Sequence, residues 1–102
     1  MDTKAAFQSF QLGTVLITPG AKNAVKRWRV FDCLNRHVRG DWGNVCQEDA
    51  EVNNAASHEG CRILSAYAID PDRPALGYGE NCFWIITEAN RESTTILLPE
   101  EY

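Results

Sequence analysis

The stretch CFWIITEANRESTTILLPEEY, residues 82–102, decides the fold of this chain. It contains two runs rich in β-branched and aromatic residues, CFWIITEA at 82–89 and TTILLPEEY at 94–102. Such runs are typical of β-strands, and the residues NRES between them predict a hairpin turn. The stretch therefore predicts two antiparallel strands in the last part of the sequence.

Two further strands are predicted upstream of this hairpin. The run CRILSAYAID, residues 61–70, alternates in the manner of a half-buried strand, and LGTVLITPG, residues 12–20, is typical of a short strand closed by a Pro-Gly turn. The segment PDRPALGYGEN, residues 71–81, is a long loop, and we expect it to be mobile or functional.

Three short helices are predicted between the first strand and the others. Thr18 and Pro19 suit the cap and the first position of a helix. A second helix follows, and a third runs from about Val45 to Glu59 and stops at Gly60. The residues that we expect on the inner faces of the three helices, in chain order, are Ala21, Ala24, Val25 and Trp28; Phe31, Leu34 and Val38; and Val52, Ala55 and Ala56.

This order of elements predicts an α+β fold. An N-terminal strand and two to three short helices should pack on a mainly antiparallel sheet of three to four strands. We expect residues 1–102 to form a single domain, with residues 1–10 flexible or loosely packed.

Composition narrows the class of partner. The 102 residues include ten basic and fourteen acidic side chains, a net charge of -4 that does not favour nucleic acid as a partner. No apolar run reaches the roughly 18 residues of a membrane helix, and the start MDTKAAFQSF lacks the features of a signal peptide. We therefore expect a cytoplasmic protein with no membrane partner.

Four cysteines are expected to be reduced and mostly buried. A zinc site built from Cys46, His58 and Cys61 is an alternative, because HEGC at 58–61 offers two ligand types three residues apart. Small buried cysteines are the commoner outcome, so no metal and no cofactor are expected.

The stretch NRHVRGDWGN, residues 35–44, is the candidate site. In a structural interpretation, Arg36, His37 and Arg39 complement the carbonyl end of a helix that stops at Gly40. Asp41 and Trp42 then cap the turn and cover the edge of the core. In a functional interpretation, this corner projects outward and binds a partner together with the last hairpin; the contact residues are Arg36, Arg39, Asp41, Trp42, Glu88 and Arg91.

Histidine, arginine and hydroxyl groups together also permit catalysis. Cleavage of a phosphodiester by a ribose 2′-hydroxyl needs a base, an acid and a cation beside the phosphorus. If the helix end packs over the last hairpin, the catalytic residues are His37, Arg36, Arg91, Thr94 and Thr95.

Four blocks in this order, LGTVLITPGA, LNRHVRGDWGNV, GCRILSAY and FWIITEANRESTTILLPEEY, resemble a family of small bacterial proteins found on plasmids, prophages and other mobile elements. The resemblance covers residues 12–102 and rests on the patterns R-H-x-x-G-D-W-G and I-T-E-A-x-R-x-x-T-T-x-L-L-P-x-E-Y. The chain has Asn90 where the family pattern has Asp, and its 70–81 loop is longer. The family carries no agreed activity.

Two functional hypotheses follow. The favoured one is a small non-enzymatic binding or modulator protein, carried by a plasmid or phage, that acts on a host or defence protein. The alternative is a metal-independent ribonuclease-like enzyme, because the layout is similar to that of the barnase–EndoU–colicin–RelE group of ribonucleases. The sequence leaves the oligomeric state undecided.

Overall fold

The computed structural model describes residues 7–102, which form three α-helices and one four-stranded sheet. The predicted α+β class is confirmed. The elements in chain order are β1 (Thr14–Ile17), α1 (Pro19–Ala24), α2 (Arg27–Val38), α3 (Gln47–Glu59), β2 (Ile63–Tyr67), β3 (Phe83–Thr87), β4 (Ser93–Leu97) and a 3₁₀ turn (Pro99–Glu101).

The strands are arranged in the order β1-β4-β3-β2. β3 is antiparallel to both of its neighbours, whereas β1 runs parallel to β4, with Ile17 opposite Ile96. The turn between β3 and β4 passes through Arg91, which takes a left-handed backbone conformation with φ of 61°. The mainly antiparallel sheet and the last hairpin are therefore confirmed.

The first helix begins as predicted but is shorter. The Thr18 hydroxyl accepts a hydrogen bond from the Ala21 N–H at 3.2 Å, and Pro19 is the first helical residue. α1 ends before Val25, which is extended with φ of -112° and ψ of 128°. Trp28 therefore belongs to α2, where it is exposed, and its predicted place on the inner face of the first helix is wrong.

α2 turns a partly polar face toward the sheet. Its buried residues are Arg29, Cys33 and His37, which are spaced four apart and lie on one side of the helix. Phe31, which was predicted to be inside, is 60% exposed. The polar face can be buried because its groups find partners; Arg29 Nε, for example, donates to the Ala68 carbonyl at 3.0 Å.

α3 ends at Gly60, as predicted, because this glycine takes the left-handed conformation with φ of 71°. Its inner face carries Asn53, Ala56 and Ser57, whereas Val52 is exposed. The prediction for Val52 is wrong because the helix is rotated so that Asn53, not Val52, faces the sheet.

The core has two parts. The larger lies between the sheet and the first two helices and contains Ala21, Val25, Cys33, Tyr67, Phe83, Ile85 and Ile96. The smaller contains Trp42, Ala56 and Ile63, with Phe7 and Phe10 packed against them. Of residues 1–10, which were predicted to be flexible or loosely packed, residues 1–6 lie outside the described part of the chain, and Phe7 and Phe10 pack against the smaller part of the core.

The 70–81 loop and the last residue cover part of the other face of the sheet. Trp84 Nε1 donates to the Gly77 carbonyl at 2.9 Å, and the Trp84 ring contacts the Tyr102 ring edge to face. Asn81 is buried, and its side-chain amide accepts from the Asp70 N–H at 2.8 Å and donates to the Asp70 carbonyl at 3.1 Å. The side chain of Asn81 thereby closes the base of the loop.

The outer edge of β2 is closed by groups of the same chain. The Asn53 amide donates to the Leu64 carbonyl at 2.7 Å and accepts from the Leu64 N–H at 3.3 Å. Next along the strand, the Ala66 N–H donates to the Trp42 carbonyl at 3.1 Å, and the Asn44 N–H donates to the Ala66 carbonyl at 2.7 Å. No further strand can therefore pair with these two residues of β2.

Candidate functional site

The two charged side chains of the predicted corner bind each other. Arg36 Nε lies 2.8 Å from one carboxylate oxygen of Asp41, and Nη2 lies 3.3 Å from the other. The Arg36 guanidinium also stacks 4.9 Å from the centre of the Tyr67 ring. The hydrogen bonds from Arg36 hold the pKa of Asp41 below its usual range. Arg39 is exposed beside this pair.

The backbone of the corner matches the structural interpretation. Gly40 follows α2 with φ of 81°, which confirms its predicted role as a helix stop. Asp41 Oδ1 accepts from the Gly43 N–H at 3.2 Å and so fixes the turn. Gly43 has φ of 72°, and a Cβ at this position would lie 2.0 Å from the Ala66 carbonyl oxygen. Only glycine allows the corner to approach β2 this closely.

Trp42 points inward. It is 5% exposed, and its ring contacts those of Phe7, Phe10 and His37, with centres 5.8, 6.3 and 5.9 Å away. Its Nε1–H donates to Asn54 Oδ1 at 3.0 Å. The expectation that Trp42 projects outward is wrong, because the body of the ring is used for packing and its polar end has a partner in α3.

His37 is fully buried and lies in a line of four hydrogen bonds. Thr94 Oγ1 donates to the Leu12 carbonyl at 2.7 Å, so the Thr87 hydroxyl, 2.8 Å away, must donate to Thr94. Thr87 then accepts from His37 Nε2–H at 2.8 Å, and His37 Nδ1 accepts from the Ser65 hydroxyl at 2.5 Å. This order of donors assigns the neutral imidazole with its proton on Nε2.

The charge state of His37 follows from the same surroundings. Burial, together with a smaller effect of the positive charge of Arg91, lowers the pKa of His37 to about 3. The side chain is therefore neutral near pH 7, and the prediction that His37 supplies a cation at the end of α2 is wrong. It is also 0% exposed, so solvent does not reach either nitrogen.

Arg91 ties the last hairpin to the end of α3. Its Nη1 donates to the carbonyls of Cys61 at 2.6 Å and Glu88 at 3.1 Å, and its Nη2 donates to the Ala56 carbonyl at 2.9 Å. The guanidinium also lies 5.4 Å from the centre of the Phe10 ring. These contacts use three of the five N–H donors of the guanidinium, which the sequence had assigned to a phosphate or a partner.

The predicted catalytic residues are only partly brought together. Thr94 reaches His37 through Thr87, whereas Thr95 points to the opposite face of β4 because successive strand residues alternate. Sequence reasoning missed the roles of Ser65 and Thr87. The signal was present, because each places a hydroxyl at an inward position of a strand whose other inward residues are apolar.

Glu88 is half-buried at the base of the same hairpin. It lines a shallow surface depression of about 290 Å³ together with Ala89, Asn90, Glu92 and Ser93. Two of these five side chains are acidic and none is basic, so the depression does not suit a phosphate.

The zinc alternative does not form within residues 7–102, where no three potential ligand side chains lie close enough to share a metal ion. Cys46 and Cys61 are exposed, and Cys33 and Cys82 are buried. Burial raises the pKa of the Cys33 and Cys82 thiols to about 11, which keeps them protonated and unreactive. The expectation of mostly buried cysteines is thus met by two of the four.

An apolar groove of about 440 Å³, which the sequence did not indicate, lies between β1 and α2. One wall is β1, whose Val15 and Ile17 side chains lie on the same face of the sheet as Ile96 and are 44% and 40% exposed. The residues of the opposite wall and the floor are Val25, Val30, Phe31, Leu34 and Ile96. Exposed large apolar side chains that share one concave surface mark an interaction site.

The backbone of β1 is unpaired along this groove. The Thr14 N–H donates to the Glu92 carbonyl, just before β4, at 2.9 Å, and the Thr18 N–H donates to the Ile96 carbonyl of β4 at 3.0 Å. Because backbone groups of successive strand residues point in opposite directions, the N–H and C=O of Val15 and Ile17 face away from β4. Within residues 7–102 no strand, loop or side chain binds them.

Two positively charged side chains lie at the rim of the groove. Lys22 and Arg27 line it and are exposed, and none of the residues that line it is acidic. Among residues 7–102 neither of the two forms a salt bridge. The groove therefore combines an apolar interior, open backbone groups and a locally positive border on a chain whose net charge is -4.

Neither a protein-family model, nor a curated protein, nor a solved structure matches this chain. The resemblance to proteins of mobile elements stays a prediction. In the described part of the chain, no helix has the length and apolar character needed to cross a bilayer.

Proposed function

We propose that this chain is a small non-enzymatic binding protein whose contact surface is the groove between β1 and α2. The observation that carries the proposal is the exposure of Val15 and Ile17, which lie on the same face of β1 as the groove and face Phe31 across it. A globular domain of this size rarely leaves a cluster of large apolar side chains in contact with water unless a partner covers it.

The groove is favoured over the Arg36–Trp42 corner because more of its polar groups and apolar surface are not already used within the chain. At the corner, Arg36 and Asp41 already pair with each other, and Trp42 is inside. Arg39 is exposed there, but one cation does not make a hot spot. At the groove, apolar area and backbone groups both remain unused.

The ribonuclease-like alternative is disfavoured by the state of its proposed base. A general base must reach the substrate and titrate near the working pH, and His37 is buried with a lowered pKa. Purified protein should therefore cleave total RNA no faster than a buffer control. Cleavage by the wild type that is lost in Arg36→Ala, a change at the surface, is the result that would favour the enzyme.

The biological setting is proposed from the resemblance and the composition alone. Under that proposal the chain acts in the cytoplasm, belongs to a mobile element, and binds a host or defence protein. The net charge of -4 supports a protein partner over nucleic acid.

The experiment is affinity capture with matched surface variants. Ile17→Ser and Phe31→Ser remove apolar area from the groove, and Leu76→Ser removes an exposed side chain from the 70–81 loop. A partner that the wild type and Leu76→Ser retain equally, and that both groove variants lose by at least about ten-fold, supports the proposal. Equal retention by all four proteins contradicts it.

A further inference from the structure

We infer that the groove takes an extended, acidic segment of another protein, which adds to β1 as a fifth strand of the sheet. The inference rests on the proposed binding function and names the kind of partner and the mode of contact. Three features carry it: the open backbone of β1, the side on which the groove lies, and the charge of its rim.

The backbone sets the conformation of the occupant. Val15 and Ile17 together present two N–H donors and two carbonyl acceptors in a row, spaced as in any strand. A partner segment satisfies this row only if it is itself extended, as in peptide recognition by strand addition. β1 contains no charged residue and no proline, so it lacks the features that usually prevent such pairing at an edge strand.

The groove gives this strand a place for its side chains. Val15 and Ile17 lie in register with Thr94 and Ile96, and Ile96 forms part of the floor. Every second side chain of an added strand points to the same face and enters the groove toward Phe31. The occupant therefore has apolar residues at alternate positions.

The positive charge at the rim of the groove indicates which residues alternate with the apolar ones in the occupant. Lys22 and Arg27 have no salt bridge in residues 7–102, and Lys26 is exposed close to both in sequence. A second copy of this chain would add a β1 strand that contains no acidic residue, so it would leave these cations without an opposite charge. An acidic segment instead supplies the opposite charge, so the occupant is a partner with alternating acidic and apolar residues.

The test uses a synthetic peptide of about eight residues with alternating glutamate and valine, blocked at both ends, and a control peptide with lysine in place of glutamate. Binding to the full chain is measured by NMR titration, with amide hydrogen exchange of the same samples. The acidic peptide should bind at least about ten-fold more tightly than the lysine peptide. It should also slow exchange of the Val15 and Ile17 amides, and leave the already bonded amide of Thr18 unchanged.

Two variants separate backbone pairing from apolar contact. Val15→Pro removes one outward N–H at an edge position that tolerates proline, whereas Val15→Thr keeps the donor and the β-branched shape. The first should weaken binding of the acidic peptide by at least about ten-fold and the second by less than about three-fold. The pair Lys22→Glu and Arg27→Glu, which lies on the surface and outside the strand, should reverse the preference between the two peptides.

Several results overturn the inference. These are equal binding of both peptides, no protection of Val15 and Ile17, or no binding at about 1 mM acidic peptide. A wild-type dimer in sedimentation that Val15→Pro dissociates would identify a second copy as the occupant instead. If neither peptide binds while capture of a partner still depends on Ile17 and Phe31, only the proposed mode of binding is wrong. If capture is independent of both residues, the proposed function fails too.

Discussion

The outward backbone groups of Leu64 and Ala66 at the β2 edge all have partners in the same chain, and the next carbonyl, that of Ala68, accepts from Arg29. The equivalent groups of Val15 and Ile17 at the β1 edge have none among residues 7–102. One sheet thus has a closed edge, which contributes to the stability of the monomer, and an open edge, which is free to pair with another chain. The difference predicts where substitutions affect folding and where they affect binding.

His37 belongs to the closed half, because it joins Ser65 of β2 to Thr87 of β3, and the largest expected effect is there. His37→Ala leaves a cavity and two buried hydroxyls without their partner. The free energy of unfolding should fall by about 4 kcal/mol. Urea denaturation followed by circular dichroism measures the loss. The matched control is His58→Ala at an exposed position, which should cost less than about 1 kcal/mol; equal losses would contradict the role given to the buried line.

A smaller effect should appear on acidification. The pKa of His37 is lowered from its ordinary value of 6.5 to about 3, so below pH 6.5 the unfolded chain binds more protons than the folded one. The stability that this group contributes is complete above pH 6.5 and is lost as the pH falls toward about 3. Between about pH 7 and about pH 4.5 the loss should be about 2.5 kcal/mol.

The measurement is the free energy of unfolding in urea at several pH values in this range. Near the lower end of this range, carboxylates whose pKa is lowered on folding, those of Asp41 and Glu101, begin to add to the slope, and the His37→Ala curve measures that part. His37→Ala, studied at a temperature where it is folded, should lack most of the slope. A wild-type curve that is flat over this range would show that His37 is not held neutral.

The smallest expected effect comes from comparing one substitution at each of the two sheet edges. Asn53→Ala removes both side-chain bonds to Leu64 and should lower the free energy of unfolding by about 2 kcal/mol. Val15→Thr, at the open edge, should change it by less than about 0.5 kcal/mol. Thermal or urea denaturation of the two variants side by side is sufficient. If Val15→Thr costs as much as Asn53→Ala, the β1 edge is not open in solution.

Local patterns in the sequence predicted much of the fold. Alternation located β2, and runs of β-branched and aromatic residues located β3 and β4. The turn chemistry at Thr18, Pro19, Gly40 and Gly60 located helix ends. These signals depend only on neighbouring residues. The rotation of each helix was harder to predict. α2 buries Arg29 and His37 in place of Phe31, since both polar residues meet partners far away in sequence.

The candidate sites could not be predicted to the same extent for the same reason. His37 and Thr87 lie 50 positions apart, so spacing gave no sign that they meet. The groove depends on β1 lying at an edge, and the sequence of β1 does not say which strand it pairs with. An apolar run such as TVLI is equally compatible with a central strand, and only the parallel pairing with β4 leaves it at the border.

The parallel pairing of β1 with β4 also determines when β1 can fold during synthesis of the chain. Val15 lies opposite Thr94, so β1 can pair with β4 only after β4 itself has emerged from the ribosome. Until then an uncharged, water-repelling segment is accessible to other nascent chains and to chaperones. Contacts of such long sequence separation also slow the collapse to the native topology. β1, the strand with an open edge in the folded protein, is therefore also the strand whose own partner is synthesised last.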